Sequence, residues 1–360
     1  MCDCVGGIGW RTLVKKTVTT LADGRELIYY DAAEDTVRDA VDQRPLDPVS
    51  TSSEIRRDPL LGDAVAIASH RQARTYHPPA DACPLCPTRE GRHSEIPDGH
   101  YDVAVFENRF PSLAGDSGRC EVVCFTSDHD ASFADLTEEQ AALVLAAWTD
   151  RTAALAAQDQ VTQVFCFENR GAEIGVTLGH PHGQIYGYPF VTPRTELMLR
   201  SAARHREETG SNLFDDVVAR EEKDGSRVVL ATDHWIAFVP YAAHWPYEVH
   251  LHPRRRVPDL RELDEGARTE FPQVYLELLR RFDRIFGPGE PPTPYISAWH
   301  QAPFGVDGRE EFALHLELFT IRRTSGKLKF LAGSESGMSV FINDVPPEAA
   351  AERLREVASQ

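Results

Sequence analysis

No stretch of this sequence approaches the roughly 18 consecutive apolar residues that a membrane-spanning helix needs, and its first thirty residues carry no apolar core of a secretory leader. The expectation is a cytoplasmic chain with no membrane partner. Positive charge is short as well: 38 Lys and Arg face 56 Asp and Glu, a formal net charge of −18. Nucleic-acid affinity comes largely from neutralising phosphates with Lys and Arg. A nucleic-acid partner is therefore not expected, and an anionic substrate demands a locally basic pocket. Sulfur is sparse and unevenly spread. The seven cysteines are an odd number and none follows Cys166, which is not the form of a disulfide framework. The composition that remains is globular, and 360 residues suffice for one large or two medium domains whose cores need no disulfide staples.

Hydrophobic periodicity predicts strands over 103–106, 121–126 and 161–168, a helix over 137–157 with an acidic first turn, and a strand over 180–190 after a Gly-bearing loop, 169–179. Pro193 opens a polar helix that Gly210 stops. From residue 227 the pattern restarts, with strands over 228–231, 235–241 and 248–252. A helix follows with Phe271, Val274, Tyr275, Leu278, Leu279, Phe282 and Ile285 on one face. Local wording repeats too: DLTEEQ (135–140) and DLRELDEG (259–266) introduce the two helices, and each helix precedes two strands, the second of which carries histidine, HPHGQIY (180–186) and FALHLEL (312–318). The fold class expected is α+β, two similar halves, each an antiparallel sheet with helices packed on one face. Residues 1–49 form an extension and lead-in, with 1–11 loose, and the halves cover 50–225 and 226–360. Two diverged repeats in one chain imply one active and one reworked site.

Cys83-Pro84-Leu85-Cys86, His129 and His180 have the ligand types of a structural tetrahedral zinc site, with gaps too long for a zinc finger. A redox or chance cysteine pair is the alternative. Cys120 and Cys124 lie in an alternating segment and read as small buried hydrophobes. In HPHGQ, a strand would turn His180, His182 and Gln184 to one side, while Pro181 and Gly183 mark backbone that lets a substrate come close. A neutral imidazole at pH 7 suits nucleophilic attack on phosphorus. Gln184 can donate its amide to a non-bridging oxygen without acting as a base. His250-Leu251-His252 lacks the Gly-Gln context and reads as structural.

HPHGQ preceded by FENRGAEIGVTLG (167–179) resembles the active-site signature of the galactose-1-phosphate uridylyltransferase family, a branch of the histidine-triad superfamily. The likeness runs from about residue 52 to 355 through RRDPLLGD, ASHRQAR, CPLC, FENRFPSL, AWHQAPF, KLKF and AAERLR. The resemblance implies exchange of UMP between UDP-glucose and galactose 1-phosphate, giving UDP-galactose, by a ping-pong reaction through a uridylyl-histidine. His182 matches the nucleophile, oriented by the backbone carbonyl of His180, and Gln184 the glutamine that contacts the transferred group. Cys83, Cys86, His129 and His180 match zinc ligands. Arg71, Arg74, Asn108, Phe110, Asn169 and Thr177 match positions that hold the uridine diphosphate. Lys329, Phe330 and Glu335 match residues that reach across a homodimer interface to the hexose.

The sequence also departs from the family pattern. Relatives with a second metal bind it through one glutamate and three histidines. His300 and His315 match two of those, Glu317 replaces the third histidine, and Met198 stands at the glutamate position with Glu196 out of register. A weaker iron or zinc site through His300, His315 and Glu317 is what could remain. Arg109 replaces an acidic nucleotide contact, and Ser334 a hexose-contacting tyrosine. The competing readings are a nucleotide phosphorylase or adenylyltransferase of the same superfamily, against which ENRG and AWHQAPF count, and a non-catalytic zinc-stabilised nucleotide-binding protein, against which intact His182 and Gln184 count.

Overall fold

The computed structural model describes residues 14–48, 53–73 and 78–359. Along the chain run β1 (Lys15–Thr20), β2 (Glu26–Asp31), the hairpin of β3 (Glu54–Arg57) and β4 (Ala64–Ile67), β5 (Val103–Glu107), β6 (Arg119–Cys124), α1 (Glu138–Ala156), β7 (Gln163–Arg170) and β8 (His182–Tyr188). Then come α2 (Pro193–Thr209), α3 (Leu213–Asp224), β9 (Val228–Ala231), β10 (Trp235–Phe238), β11 (Tyr247–Pro253), α4 (Glu265–Arg284), β12 (Tyr295–His300) and β13 (His315–Thr320). The chain closes with β14 (Arg322–Thr324), β15 (Lys327–Leu328), α5 (Gly333–Met338) and α6 (Pro347–Glu356).

Cap chemistry sets the helix starts. Thr137 accepts from the Gln140 amide at 3.2 Å while the Gln140 side chain accepts from the Thr137 amide at 2.9 Å, a capping box that satisfies two otherwise unpaired donors. Asp264 does the same work for α4, accepting from Ala267 N–H at 2.8 Å. Gly210 ends α2 at φ 76°, a left-handed cap that glycine takes without a Cβ penalty.

Eleven strands form one sheet in the order β1-β2-β5-β6-β8-β7-β12-β13-β11-β10-β9. The two halves share one design: β2-β5-β6-β8-β7 and β9-β10-β11-β13-β12 follow the same order from edge to centre. They join through antiparallel pairing of β7 with β12, where Cys166 faces Trp299 and Phe167 faces Ala298. On one face α1 and α4 lie side by side. Trp148 and Leu155 of α1 and Phe271, Tyr275 and Leu279 of α4 are buried there with Trp235 and Trp299 of the sheet, each worth roughly 1.5–3 kcal/mol of burial. The other face of β7 and β8 lines a cavity.

Residues 1–49 are more than a lead-in, because β1 and β2 within them extend the sheet beyond β5. Strand β2 escapes a period-two search because it is buried on both faces. Leu27 and Tyr29 pack toward the Cys83–Cys86 loop, and Ile28 and Tyr30 pack toward the helices. Helix α3 was likewise not anticipated: its composition is mostly polar, and its start is fixed by Asn212 accepting from Phe214 N–H and Asp215 N–H. The strand expected over 180–190 begins only at His182, since Pro181 has no amide proton for the ladder. Residues 1–11, including Cys2 and Cys4, lie outside the described residues.

Candidate active site and metal centre

Strand β8 alternates as the sequence suggests. Ile185 enters the helix-side core, whereas His182, Gln184 and Tyr186 face the other way into a cavity of about 360 Å³. Gly183 serves packing rather than an irregular backbone. A Cβ there would lie 2.8 Å from the Phe125 ring and 2.8 Å from the carbonyl oxygen of Phe167, and that oxygen belongs to the neighbouring strand and cannot swing away.

The tautomer of His182 follows from one contact: its Nδ1 lies 2.7 Å from the carbonyl oxygen of His180. A carbonyl only accepts, so Nδ1 carries the proton and Nε2 is left with its lone pair. Burial lowers the pKa of this ring, against the raising effect of that hydrogen bond, which keeps it neutral and nucleophilic at pH 7.

The ring of His180 is fixed in the opposite sense. Its Nε2 is 2.8 Å from the carbonyl of Thr126 and 2.7 Å from the hydroxyl of Tyr101. Tyr101 spends its own proton on the carbonyl of Leu85 at 2.9 Å, so Nε2–H is the donor to both. The Nδ1 lone pair then points toward Cys86 Sγ, 3.6 Å away, and Cys86 Sγ is 3.3 Å from His129 Nδ1. The ligand atoms of Cys83, Cys86, His129 and His180 all lie within 4.8 Å of one another. Burial pushes His180 down to about 4 and the Cys83 thiol up to about 11. Two buried thiols facing two imidazoles are a donor set suited to a thiophilic cation, which would hold the sulfurs as thiolates. These residues fit zinc.

Around His182 the cavity is lined by Arg71, Asn108, Phe110, Asn169, Thr177 and Gln184, with Arg109. Glu95 lines the cavity as well, 4.0 Å from Arg109, so Arg71 carries most of the local positive charge that a chain of net charge −18 must find for an anionic ligand. Asn108 shapes the loop after β5 by accepting from Phe110 N–H at 2.9 Å, an Asx turn. Arg74 lies outside the described residues. Lys329, Phe330 and Glu335 do not line the cavity of their own chain. Lys329 Nζ pairs with Glu335 at 2.8 Å and, with backbone N–H donors, holds that carboxyl down to about 2, while Phe330 is 72% exposed.

The second half repeats the backbone geometry with other chemistry. His315 begins β13 as His182 begins β8, and its Nδ1 donates to the carbonyl of Ala313 at 2.8 Å. Glu317 takes the place of Gln184. Its carboxylate gathers His300 at 3.3 Å, His250 at 3.5 Å and His315 at 3.7 Å. Burial would raise Glu317, yet His300 and His250 hold it well below the usual carboxylate range. His300, His315 and Glu317 are thus brought together, but Arg194 already donates to Glu317 at 2.6 Å. Glu248, His250 and Glu317 form a second group of possible ligands that shares the same carboxylate. His250 and His252, read as structural, join this network. His250 bonds Glu248 at 2.9 Å, and His252 stacks on His315 with ring centres 4.9 Å apart.

Comparison with known proteins agrees with this architecture. The model of the N-terminal domain of galactose-1-phosphate uridyl transferase matches residues 113–192, and that of its C-terminal domain matches residues 198–360. The chain belongs to the galactose-1-phosphate uridylyltransferase family. A galactose-1-phosphate uridylyltransferase of Streptomyces lividans is 68% identical over 352 residues, 96% of this chain and 98% of that protein. One from Thermotoga maritima is 36% identical, covering 84% of this chain and 98% of the relative. Among solved structures, one described as a uridylyltransferase superposes with a TM-score of 0.74 at 32% identity, over 84% of this chain and 97% of the other. The family assignment makes the chain an enzyme, one whose relatives are named for uridylyl transfer to a hexose phosphate.

Two residues with a part in the site had no signal in the sequence, Tyr101 behind His180 and Ser112 against Tyr186, whereas Tyr186 shares the strand face of Gln184. Each of the two is a common residue type whose role depends on a distant partner. For Gly183, the expected outcome of Gly183→Ala is a loss of about 1–3 kcal/mol of stability by overpacking, read as a lowered denaturation midpoint. A midpoint equal to that of the wild type would contradict the packing account.

Proposed function

We propose that the enzyme exchanges UMP between UDP-glucose and galactose 1-phosphate through a covalent uridylyl intermediate on His182, a step of galactose metabolism in the Leloir pathway. The observation that carries the reading is the His182 ring itself, neutral, with Nδ1–H tied to the carbonyl of His180 and Nε2 free beside Gln184 and the arginines.

In the first half-reaction Nε2 attacks the α-phosphorus. The new N–P bond replaces the bridging P–O bond, whose electron pair leaves with glucose 1-phosphate. The ring keeps its Nδ1 proton, and the positive charge gained on attack is delocalised toward the His180 carbonyl. In the second, a phosphate oxygen of galactose 1-phosphate attacks the same phosphorus, and the N–P electron pair returns to His182. Gln184 donates its amide to a non-bridging oxygen in both steps. Because it offers no group that titrates near neutrality, it does not activate water, which favours transfer over hydrolysis. Arg71, Asn108, Phe110, Asn169 and Thr177 hold the nucleotide, and Arg74 belongs to the same set by resemblance.

Cys83, Cys86, His129 and His180 hold the zinc in this reading. The ion's contribution is structural, a fixed positive charge that orders the segment carrying the nucleophile. A second metal, iron or zinc, through His300, His315 and Glu317 is not part of the proposal. The active form is a homodimer in which Lys329, Phe330 and Glu335 of one subunit complete the hexose end of the other. Support comes from the apolar surface around them, where Phe330, Met338, Val340 and Ile342 are all exposed. Five buried free cysteines accord with a cytoplasmic, reducing compartment.

Incubation with UDP-glucose alone is expected to release glucose 1-phosphate in an amount equal to the enzyme, and His182→Asn, which cannot form the phosphoramidate, is expected to release none. Preference for an adenine nucleotide would point to a phosphorylase, and no release at all to a binding protein. Elemental analysis is expected to find about one zinc per chain. Cys83→Ser with Cys86→Ser should lose it, together with thermal stability and activity. A metal-free protein of full stability and activity would contradict the site.

A further inference from the structure

We infer that Tyr186 and Ser112 are positioning residues for Gln184: they fix which end of its carboxamide faces the transferred phosphoryl group. The inference rests on the uridylyl-transfer reading of the cavity and adds the means by which Gln184 is oriented.

A glutamine amide has two ends of opposite character, an oxygen that only accepts and an NH2 that only donates. Rotation by half a turn about its last bond exchanges them with almost no change of shape. Turned one way, Gln184 donates to a phosphoryl oxygen; turned the other, it sets a carbonyl oxygen against that oxygen and repels it. Something in the site must decide between the two.

The structure supplies a directional chain of donors. The Tyr186 hydroxyl donates to Gln184 Oε1 at 3.1 Å. A phenol has one proton, so with that proton committed its oxygen must accept from Ser112 Oγ, 3.2 Å away. Ser112 Oγ in turn accepts from Arg71 Nη1, and a guanidinium can only donate. The relay therefore runs from the guanidinium to the carboxamide oxygen, and Nε2 is the end left to the cavity. Two features hold it in place. Residues 184 and 186 are two apart on β8 and share a face. The Tyr186 ring stands edge-on to Phe167 at 5.1 Å and to Tyr188 at 5.9 Å, which fixes where the hydroxyl can reach. Arg71 lines the same cavity, so a phosphate contact and the orientation of Gln184 are joined in one network.

The test is a cycle of wild type, Tyr186→Phe, Gln184→Ala and the double variant, since Phe keeps the ring and removes only the hydroxyl. The readouts are the single-turnover rate of glucose 1-phosphate release, the KM for UDP-glucose, and UMP affinity by calorimetry. Tyr186→Phe is expected to slow release about five- to tenfold, the worth of one net hydrogen bond, and to weaken UMP binding about two- to fivefold, with KM for UDP-glucose rising by no more than the UMP affinity falls. In the Gln184→Ala background the same substitution is expected to cost less than about twofold, because no amide remains to orient. Ser112→Ala should act in the same direction and more weakly. A full loss in both backgrounds would mean that the hydroxyl acts on the fold and not through Gln184, and no loss in either would remove its role; each overturns the inference. UMP binding needs no turnover and carries the same cycle, so wild type that released no glucose 1-phosphate would count against the proposed reaction, while the inference would still be decided by UMP affinity.

Discussion

One hydrogen bond organises the catalytic half of the molecule: Nδ1–H of His182 to the carbonyl of His180. It selects the tautomer, frees Nε2 and turns the ring toward the cavity. The carbonyl can do so only while its own residue is immobile. His180 is held through its other end, by the carbonyl of Thr126 and the hydroxyl of Tyr101 on Nε2 and by the cysteine and histidine cluster around Nδ1. His180 thus belongs to the cysteine and histidine cluster through its side chain and orients His182 through its backbone. In the proposed reaction an ion held by that cluster would take no part in bond making and would act only by holding the carbonyl that aims His182.

The second half repeats this local geometry with different side chains. His315 makes the same bond to the carbonyl two residues before it, at the same place in the repeated strand order. What differs is the company. In the first half an uncharged Gln184 and an open cavity surround the ring. In the second, Glu317 draws His250, His300 and Arg194 around itself, so the carboxylate is satisfied. What stands two positions beyond each histidine differs, Gln184 in one half and Glu317 in the other.

Much of this was legible in the sequence where function is written locally. HPHGQ carries the alternation that turns His182 and Gln184 to one cavity, and CPLC carries two of the four side chains that gather at His129 and His180. Helices α1, α2 and α4 were legible from apolar spacing, caps and stops, DLTEEQ above all. Less legible were features set by contacts distant in sequence. Strand β2 has no alternation because both its faces are buried. Ser112 meets Tyr186 across 74 residues and Tyr101 meets His180 across 79, and no pattern in either segment points to the other. His250 looked structural from its own surroundings and acquires its place only when β11 pairs with β13 and sets it against Glu317.

The central claim is that His182 Nε2 becomes bonded to phosphorus. Its most direct test is mass spectrometry of the enzyme after brief exposure to UDP-glucose, with peptide mapping under conditions that preserve an acid-labile phosphoramidate. The account predicts one added uridylyl group per chain, located on His182 and removed by galactose 1-phosphate. An unchanged mass while transfer proceeds, or a uridylyl group on any other residue, would contradict it.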